Sequence, residues 1–307
     1  MILAFIATLL VSILICLSTT DAVIPTTTTI FILAGQSNMS GRGGVVNDTW
    51  DGFVPPEARS NSAIMKLGPK LNWELAFEPL HKDIDVNKTC GIGPGLIFAN
   101  AVVVHRIGAV GLVPCARGGT SLREWQKGSK SGLYKALVRR GKAAVEAVEG
   151  GRIGGLLWYQ GESDTLNETD ANLYGQRLVK LFGDVRKDLD LPLLPIFQVA
   201  LASGPGPYKN RVRAAQLGIN LINVFTVNAN GLQLEPDKLH LTTLSQVHLG
   251  KMLADAYLKT MNLPKFAVVH QHSDAYSHTR LSDSCFGFYM EVLVTQLLLM
   301  TLSWFIS

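Results

Sequence analysis

Neither a long linker nor an excess of charge of one sign occurs in this sequence. The chain has 307 residues, 47% of them hydrophobic, and a formal net charge of +4 that is spread over stretches of mixed sign. It also lacks a basic block with interleaved aromatic residues, so we expect no nucleic acid partner. A chain of this length and composition can bury one large core, and we expect one folded domain.

Cysteine is scarce as well, and its positions bear on the compartment. Four cysteines are present. Cys16 lies in an apolar N-terminal segment that predicts a signal peptide over residues 1–22 and secretion to the extracellular space or cell wall. Removal of this segment leaves Cys90, Cys115 and Cys285 in a compartment where thiols oxidise. Because Cys90 precedes a predicted helix and Cys115 ends a predicted strand, a disulfide between them is our hypothesis.

Glycosylation sequons also fit an extracytoplasmic route. Asn-x-Ser/Thr triplets begin at Asn47, Asn87 and Asn167, and such triplets accept glycans in exported proteins. A fourth triplet begins at Asn38, beside the serine discussed below, and we expect it to stay unmodified.

The C-terminal part of the chain differs in composition from the rest. Residues 286–306 are mostly apolar and follow a polar stretch, residues 270–284. The apolar segment fits a cleaved lipid-anchor signal, a retained membrane anchor or, as we favour, a non-functional extension. The chain therefore divides into a signal peptide over 1–22, a domain over 23–265 and a polar spacer with a hydrophobic tail over 266–307. Membrane association through the tail and the oligomeric state stay open.

Predicted strands and helices alternate along the chain. Five apolar runs are mostly continuous, which is typical of strands buried on both faces. Helical patterns lie between them, so the sheet is expected to be parallel and covered on both sides. We predict an α/β protein with a three-layer α/β/α, flavodoxin-like fold and a five-stranded parallel sheet. The predicted strands are 29–34, 110–115, 155–159, 194–200 and 222–227, and the predicted helices are 96–104, 133–148, 174–189 and 242–261.

Polar residues directly follow the first four predicted strands. Because ligands bind at the carboxyl ends of parallel strands, these residues are expected to converge at one edge of the sheet. The loop of residues 43–69, rich in proline and glycine, is expected to be a surface excursion at the rim of a binding groove. The polar clusters are Gln36 to Asn38, Arg117 to Thr120, Gln160 to Asp164, and Ser203.

Ser37 follows the first predicted strand, although the sequence has no Gly-x-Ser-x-Gly elbow. Gly35 permits a sharp turn, and the amides after Ser37 are expected to open a helix whose N-terminus favours negative charge on a carbonyl oxygen. The alternative is that Ser37 only caps that helix.

Asp237 and His240 stand three residues apart far downstream. In a turn, this spacing lets Asp237 hold Nδ1 of His240 and leaves Nε2 as a base for Ser37. The alternative for His240 is a capping or surface role. Taken together, the three residues predict a serine esterase.

Gln160 ends the third predicted strand. Its side-chain amide is expected to donate to the oxyanion beside the backbone amides of Ser37 and Gly118. The alternative is a buried amide paired with the backbone.

The remaining polar groups do not predict glycoside cleavage or a metal. Glu162 and Asp164 share one short loop and are not opposed across a sugar, so we expect Glu162 to brace that loop. Arg117 is expected to pair with Glu162 or to meet the substrate. The histidines at 270, 272 and 278 lack a rigid frame, and the glycines at 91, 93 and 95 do not form Gly-x-Gly-x-x-Gly. We therefore expect no metal and no cofactor.

Five segments resemble the motifs of plant carbohydrate esterases of the SGNH hydrolase superfamily. These esterases are related to acetylxylan esterases of carbohydrate esterase family 6 and to sialate O-acetylesterases. The resemblance extends from about residue 28 to residue 261. The segments are Ala34-Gly-Gln-Ser-Asn-Met-Ser-Gly-Arg-Gly-Gly44, Gly91-Ile-Gly-Pro-Gly95, Val113-Pro-Cys-Ala-Arg-Gly-Gly-Thr120, Trp158-Tyr-Gln-Gly-Glu-Ser-Asp164 and Asp237-Lys-Leu-His240.

The resemblance implies an SGNH hydrolase fold and the removal of O-acetyl groups from a cell-wall polysaccharide or oligosaccharide through an acyl-enzyme. Two alternatives stay open, a carbohydrate-binding protein without turnover and a hydrolase of small esters or lipids. The resemblance implies Ser37 as nucleophile, His240 as base and Asp237 as the partner of His240. It implies an oxyanion site formed by Ser37, by Gly118 or Gly119, and by Gln160. The supporting residues that it implies are Gln36, Asn38, Glu162 and Arg117.

Overall fold

The computed structural model describes residues 28–105 and 108–261. The predicted signal peptide, Cys285, the histidines of the polar spacer and the apolar C-terminal segment lie outside these ranges. Within the ranges, no helix combines the length and the apolar character needed to cross a membrane.

A seven-stranded sheet forms the centre of the fold. Its strands are β1 (Thr29–Gly35), β4 (Ile64–Leu67), β5 (Trp73–Leu75), β6 (Val110–Pro114), β7 (Arg152–Tyr159), β8 (Ile196–Ala200) and β9 (Val224–Asn228). Their spatial order is β5-β4-β6-β1-β7-β8-β9, and all neighbours are parallel except β5, which runs antiparallel to β4. A separate hairpin pairs β2 (Val45–Val46) with β3 (Thr49–Trp50).

The predicted parallel sheet is confirmed, but the predicted number of strands is wrong. All five predicted strands are present, and they follow the flavodoxin-like order. The additional strands β4 and β5 lie at the edge beyond β6, and β4 falls within the predicted loop of residues 43–69. They are four and three residues long, and the charged pair Lys66 and Glu74 interrupts their apolar pattern. Strands this short give almost no periodic signal.

Helices cover both faces of the sheet, as predicted. Phe31 of β1 meets Phe98 and Tyr257 edge-on on one face, with ring centroids 4.8 and 4.9 Å apart. On the other face Trp158 of β7 meets Phe182 at 6.2 Å. The first face carries α2 (Pro94–Val103) and α6 (Thr243–Met261), and the second carries α3 (Leu133–Glu146), α4 (Glu168–Asp188) and α5 (Lys209–Leu217), while a short helix, α1 (Ser37–Ser40), follows β1.

The hypothesis of a Cys90–Cys115 disulfide is wrong, because both thiols are free and buried. Cys90 Sγ lies 3.7 Å from Nη1 of Arg42, whereas Cys115 follows β6 and neighbours Arg140. The two side chains therefore have different surroundings. Burial raises the pKa of each thiol to about 11, so the reactive thiolate is rare at neutral pH.

Candidate active site

Ser37 lies on a sharp turn between β1 and α1. Gly35, the last residue of β1, has a φ of +128°, and a Cβ there would lie 2.0 Å from the carbonyl oxygen of Tyr159 on β7. Only glycine tolerates both conditions. Gln36 N donates to the same carbonyl at 2.8 Å, and α1 begins at the next residue. The chain therefore turns at the carboxyl edge of the sheet, where Ser37 lines a cavity.

The structure brings Ser37, His240 and Asp237 together. His240 Nε2 lies 3.0 Å from Ser37 Oγ, and its Nδ1 lies 2.6 Å from Asp237 Oδ2. The other carboxylate oxygen, Asp237 Oδ1, accepts from the amides of Leu239 and His240 at 2.8 and 2.9 Å. The imidazole thus lies between a hydroxyl and a carboxylate, which is the geometry that the predicted roles need.

The Asp237 carboxylate is stabilised in its ionised form. Burial raises its pKa, but the two amide hydrogen bonds and the His240 imidazole outweigh burial, so the pKa lies below its usual value. An ionised Asp237 favours a proton on Nδ1 of His240. Nε2 is then the atom available to accept the proton of Ser37.

The cavity at this edge has a volume of about 410 Å³. Three of its lining residues are apolar, namely Val45, Pro205 and Leu239, and the others are polar residues or glycines. Such a lining suits a ligand rich in hydroxyl groups better than a long acyl chain.

The backbone amides of the cavity wall differ in their partners. Gly118 N donates to Asp85 Oδ1 at 3.0 Å, so this amide is already occupied. Ser37 N and Gly119 N have no hydrogen-bond acceptor within the described ranges, and both residues line the cavity. Of the two glycines that the sequence leaves open, the geometry therefore favours Gly119 as an oxyanion donor.

The predicted oxyanion role of Gln160 does not agree with the structure. Its side chain is fully buried, and Nε2 donates to Asp164 Oδ2 at 2.6 Å, to Thr120 O at 2.9 Å and to Gln36 Oε1 at 3.2 Å. Both oxygens of Asp164 in turn accept from Leu122 N. Gln160 and Gln36 therefore join the loops that follow β1, β6 and β7. This agrees with the alternative for Gln160, a buried side-chain amide that pairs with groups of the protein.

The predicted pairing of Arg117 with Glu162 is wrong. Its guanidinium donates to the carbonyl oxygen of Ile84, and its amide donates to Gly35 O at 2.9 Å. Arg117 does not pair with Glu162 and does not line the cavity. It holds the loop that carries Asp85 against the end of β1.

Arg42 and Asp85 belong to the site but are absent from the residues predicted from the sequence. Arg42 Nη2 lies 2.6 Å from Asp85 Oδ2, and the two side chains are 6% and 2% exposed. Ser40 Oγ donates to the same oxygen at 2.8 Å. Burial raises the pKa of Asp85, but Arg42 and the hydrogen bonds outweigh it and lower the pKa. Arg42 lies in the first of the five segments that resemble the esterase motifs, so the sequence offers an indication of its role. Asp85 lies in none of these segments.

Asn38, a predicted supporting residue, holds the segment that carries His240. Its Oδ1 accepts from Leu241 N at 2.9 Å, and its Nδ2 donates to Leu239 O at 3.4 Å, so the contacts lie on both sides of His240. Nδ2 also donates to Glu162 Oε1 at 2.7 Å. Because the Asn38 side chain is fully buried, a glycan has no room at this sequon.

Glu162 braces this arrangement from a buried position beside the cavity. Its side chain is 1% exposed, Oε1 accepts from Asn38, and Oε2 has no hydrogen-bond partner in the described part of the chain. Burial raises the pKa of Glu162 from 4.5 to about 7, although the Asn38 hydrogen bond opposes the shift. The carboxyl therefore keeps its proton in the folded protein at a pH where the unfolded chain has lost it.

A pH dependence of stability follows from Glu162. Between pH 4.5 and about 7 the folded state binds the extra proton, so this group lowers the free energy of unfolding by up to about 1.4 kcal/mol for each unit of rising pH. Glu162→Gln keeps an acceptor for Asn38 and removes this component, so the variant gains stability relative to wild type as the pH rises from 5 to 8. Urea denaturation at a series of pH values measures the difference, and a pH-independent difference would contradict the prediction.

A family model and several known proteins match the part of the chain that contains this site. The family described as "SASA: carbohydrate esterase, sialic acid-specific acetylesterase" matches residues 27–259. A probable carbohydrate esterase of Arabidopsis thaliana is 53% identical over 239 residues, which are 75% of this chain and 90% of that protein. An X-ray structure of a protein from Arabidopsis thaliana matches at 52% identity with a TM-score of 0.73, covering 76% of this chain and 99% of the other. The crystal structure of NanS matches with a TM-score of 0.62, covering 77% of this chain and 98% of the other; at 17% identity, this likeness concerns the fold alone.

Proposed function

This chain belongs to the carbohydrate esterase family of sialic acid-specific acetylesterases, and from that premise we propose that it is a secreted serine acetylesterase acting on cell-wall glycans. Carboxylic ester hydrolysis on carbohydrate follows from the family. The observation that carries the serine mechanism is the position of His240, with Nε2 at 3.0 Å from Ser37 Oγ and Nδ1 at 2.6 Å from Asp237.

In the proposed first step, Ser37 Oγ attacks the acetyl carbonyl carbon while His240 Nε2 takes the hydroxyl proton. Asp237 keeps the imidazole oriented and stabilises its positive charge. The oxyanion lies against the amides of Ser37 and Gly119, at the N-terminal end of α1. His240 then gives its proton to the departing sugar oxygen, and an acetyl-serine remains.

In the second step, water attacks the acetyl-serine. His240 removes a proton from this water, the second oxyanion forms at the same two amides, and the bond to Ser37 Oγ breaks. Acetate leaves, and Ser37 regains its proton from His240.

The cavity lining supports a carbohydrate as the alcohol part of the ester. Its polar residues offer hydrogen-bond donors and acceptors for several hydroxyl groups. Secretion, expected from the N-terminal segment, gives access to acetylated wall polysaccharides and their fragments. Acetate release from acetylated xylan, mannan, pectin and sialosides tests this proposal, with Ser37→Ala as the inactive control. A protein that binds these glycans but releases no acetate from any of them is instead the carbohydrate-binding alternative.

The acyl chain that the cavity accepts is expected to be short. Burying a methylene group against apolar surface contributes about 0.8 kcal/mol of binding free energy. In a lipid hydrolase, each methylene group of the acyl chain makes this contribution in an apolar tunnel. Because Val45, Pro205 and Leu239 are the apolar side chains in the lining, we expect kcat/KM to fall from acetyl to butyryl to octanoyl esters of 4-nitrophenol. Values that rise with chain length would support the small-ester or lipid alternative.

A further inference from the structure

Four sequons occur in the chain, and the structure separates them by environment. Asn38 is fully buried. Asn167 caps α4, where its Oδ1 accepts from Asp170 N at 3.1 Å. Asn47, Asn87 and Asn167 are all exposed. N-glycans are usually attached at exposed positions. What distinguishes the exposed asparagines is therefore the part of the protein that lies beside each of them.

Asn47 lies at the mouth of the active-site cavity. It is the first residue of the two-residue turn between β2 and β3, in which Asn47 and Asp48 have φ values of +49° and +56°. Both residues line the cavity that contains Ser37 and His240. The tight turn directs the exposed asparagine to solvent while keeping it at the rim.

The second exposed sequon meets the first at the same rim. Thr89, the third residue of the triplet that begins at Asn87, donates through Oγ1 to Asp48 O at 2.7 Å. Lys88 and Thr89 also line the cavity. Two sequons that are separate in sequence therefore share one side of the opening, and sequence spacing alone gives no sign of it.

We propose that Asn47 carries an N-glycan that narrows access to the active site, so that the enzyme deacetylates oligosaccharides and chain ends in preference to the interior of a polymer. A glycan is bulky and hydrated, and at this rim it occupies the volume through which a long polysaccharide has to pass. A small ester enters past it. This inference rests on the proposed function and on the expected secretion.

Thr49→Val tests the proposal with little change to the fold. It removes the sequon, keeps a β-branched residue on β3 and leaves the left-handed conformation of Asn47 undisturbed. Thr49→Ser is the conservative variant that keeps the sequon. Asn167→Asp is the matched control, because it removes a sequon away from the cavity lining and keeps a side-chain oxygen to cap α4.

The full-length chain and the three variants are produced in a secreting eukaryotic host, and mass spectrometry of peptides measures glycan occupancy. We expect Asn47 to be occupied in the wild type and in Thr49→Ser. We expect Thr49→Val to raise kcat/KM severalfold on acetylated polymeric xylan and to leave 4-nitrophenyl acetate hydrolysis unchanged. Asn167→Asp should leave both rates unchanged. Peptide N-glycosidase treatment of the native wild type also removes any glycan at Asn87, at the same rim, and should raise the rate on the polymer at least as much as Thr49→Val.

Two results would overturn the proposal. One is an unmodified Asn47 in the secreted protein, and the other is equal polymer rates for glycosylated wild type and Thr49→Val. Failure of the proposed function is distinguishable from both. In that case the wild type releases no acetate from any glycan, or Ser37→Ala hydrolyses 4-nitrophenyl acetate as fast as wild type, while glycan occupancy at Asn47 is measured independently.

Discussion

Ser37→Ala is expected to lower kcat/KM for acetate release by on the order of 10⁴-fold or more. The variant lacks the atom that forms the covalent bond to the acetyl group, so His240 and Asp237 have no nucleophile to activate. The residual rate comes from the amides that stabilise the oxyanion and from substrate binding. Initial rates with wild type and variant on the best glycan of the panel measure the loss.

The loss should occur without unfolding. Ser37 Oγ contacts His240, and its removal leaves the buried residues around it, including Asn38 and Gly35, in place. Ser60→Ala is the matched control, because Ser60 is an exposed serine that does not line the cavity. This variant should keep a rate close to that of wild type. A Ser37→Ala enzyme that retains most of its activity would contradict the serine mechanism.

The positions of Ser37, Asp237 and His240 were accessible to sequence reasoning because local features carry each of them. Gly35 marks the turn that follows a continuous apolar strand, and the i, i+3 spacing in a turn brings a carboxylate to Nδ1 of a histidine. The convergence of these local pieces follows from the parallel sheet, whose carboxyl ends share one edge. The distances in the structure agree with that geometry.

The oxyanion donors were less accessible, because tertiary contacts distinguish them. Gly118 and Gly119 are equivalent in sequence, and what separates them is Asp85, which accepts from Gly118 N across 33 positions of the chain. Gln160 ends a strand at a suitable place, but Asp164 and Thr120 occupy its amide. A pattern along one strand does not reveal which groups another loop brings to it.

Dependence on tertiary contacts also explains why the sequence does not predict strand β4 and helix α5. Strand β4 is short and pairs at the sheet edge, so the pairing with β6, not periodicity, makes it a strand. Helix α5 is nine residues long and buries Val212 and Gln216, which gives too narrow an apolar stripe to recognise. Long buried strands and helices can be predicted from their composition, whereas the formation of short peripheral ones depends on contacts with neighbouring elements.

Asp85→Ala is expected to destabilise the fold by about 3–5 kcal/mol, since it leaves a buried guanidinium without its counter-charge. Arg42 is 6% exposed at its side chain. Ser40 Oγ loses its acceptor Oδ2 and Gly118 N loses its acceptor Oδ1. Asp184→Ala is the control, because Asp184 forms an i, i+4 pair with Lys180 in which the lysine is 59% and the aspartate 21% exposed, and such helix pairs contribute about 0.3–0.5 kcal/mol. Urea denaturation at neutral pH measures both, and similar losses in the two variants would contradict the prediction.

The comparison of Asp85→Ala with Asp85→Asn separates stability from catalysis. Both variants remove the charge that faces Arg42, so both are destabilised. Asp85→Asn, however, keeps an oxygen that accepts from Gly118 N and so holds Gly118, the residue bonded directly to Gly119 N. We expect kcat of the folded fraction to fall by about 10²-fold in Asp85→Ala, as for the loss of an oxyanion donor, and by much less in Asp85→Asn. Equal kcat values in the two folded variants would mean that Asp85 acts on the fold alone and that Gly119 needs no such support.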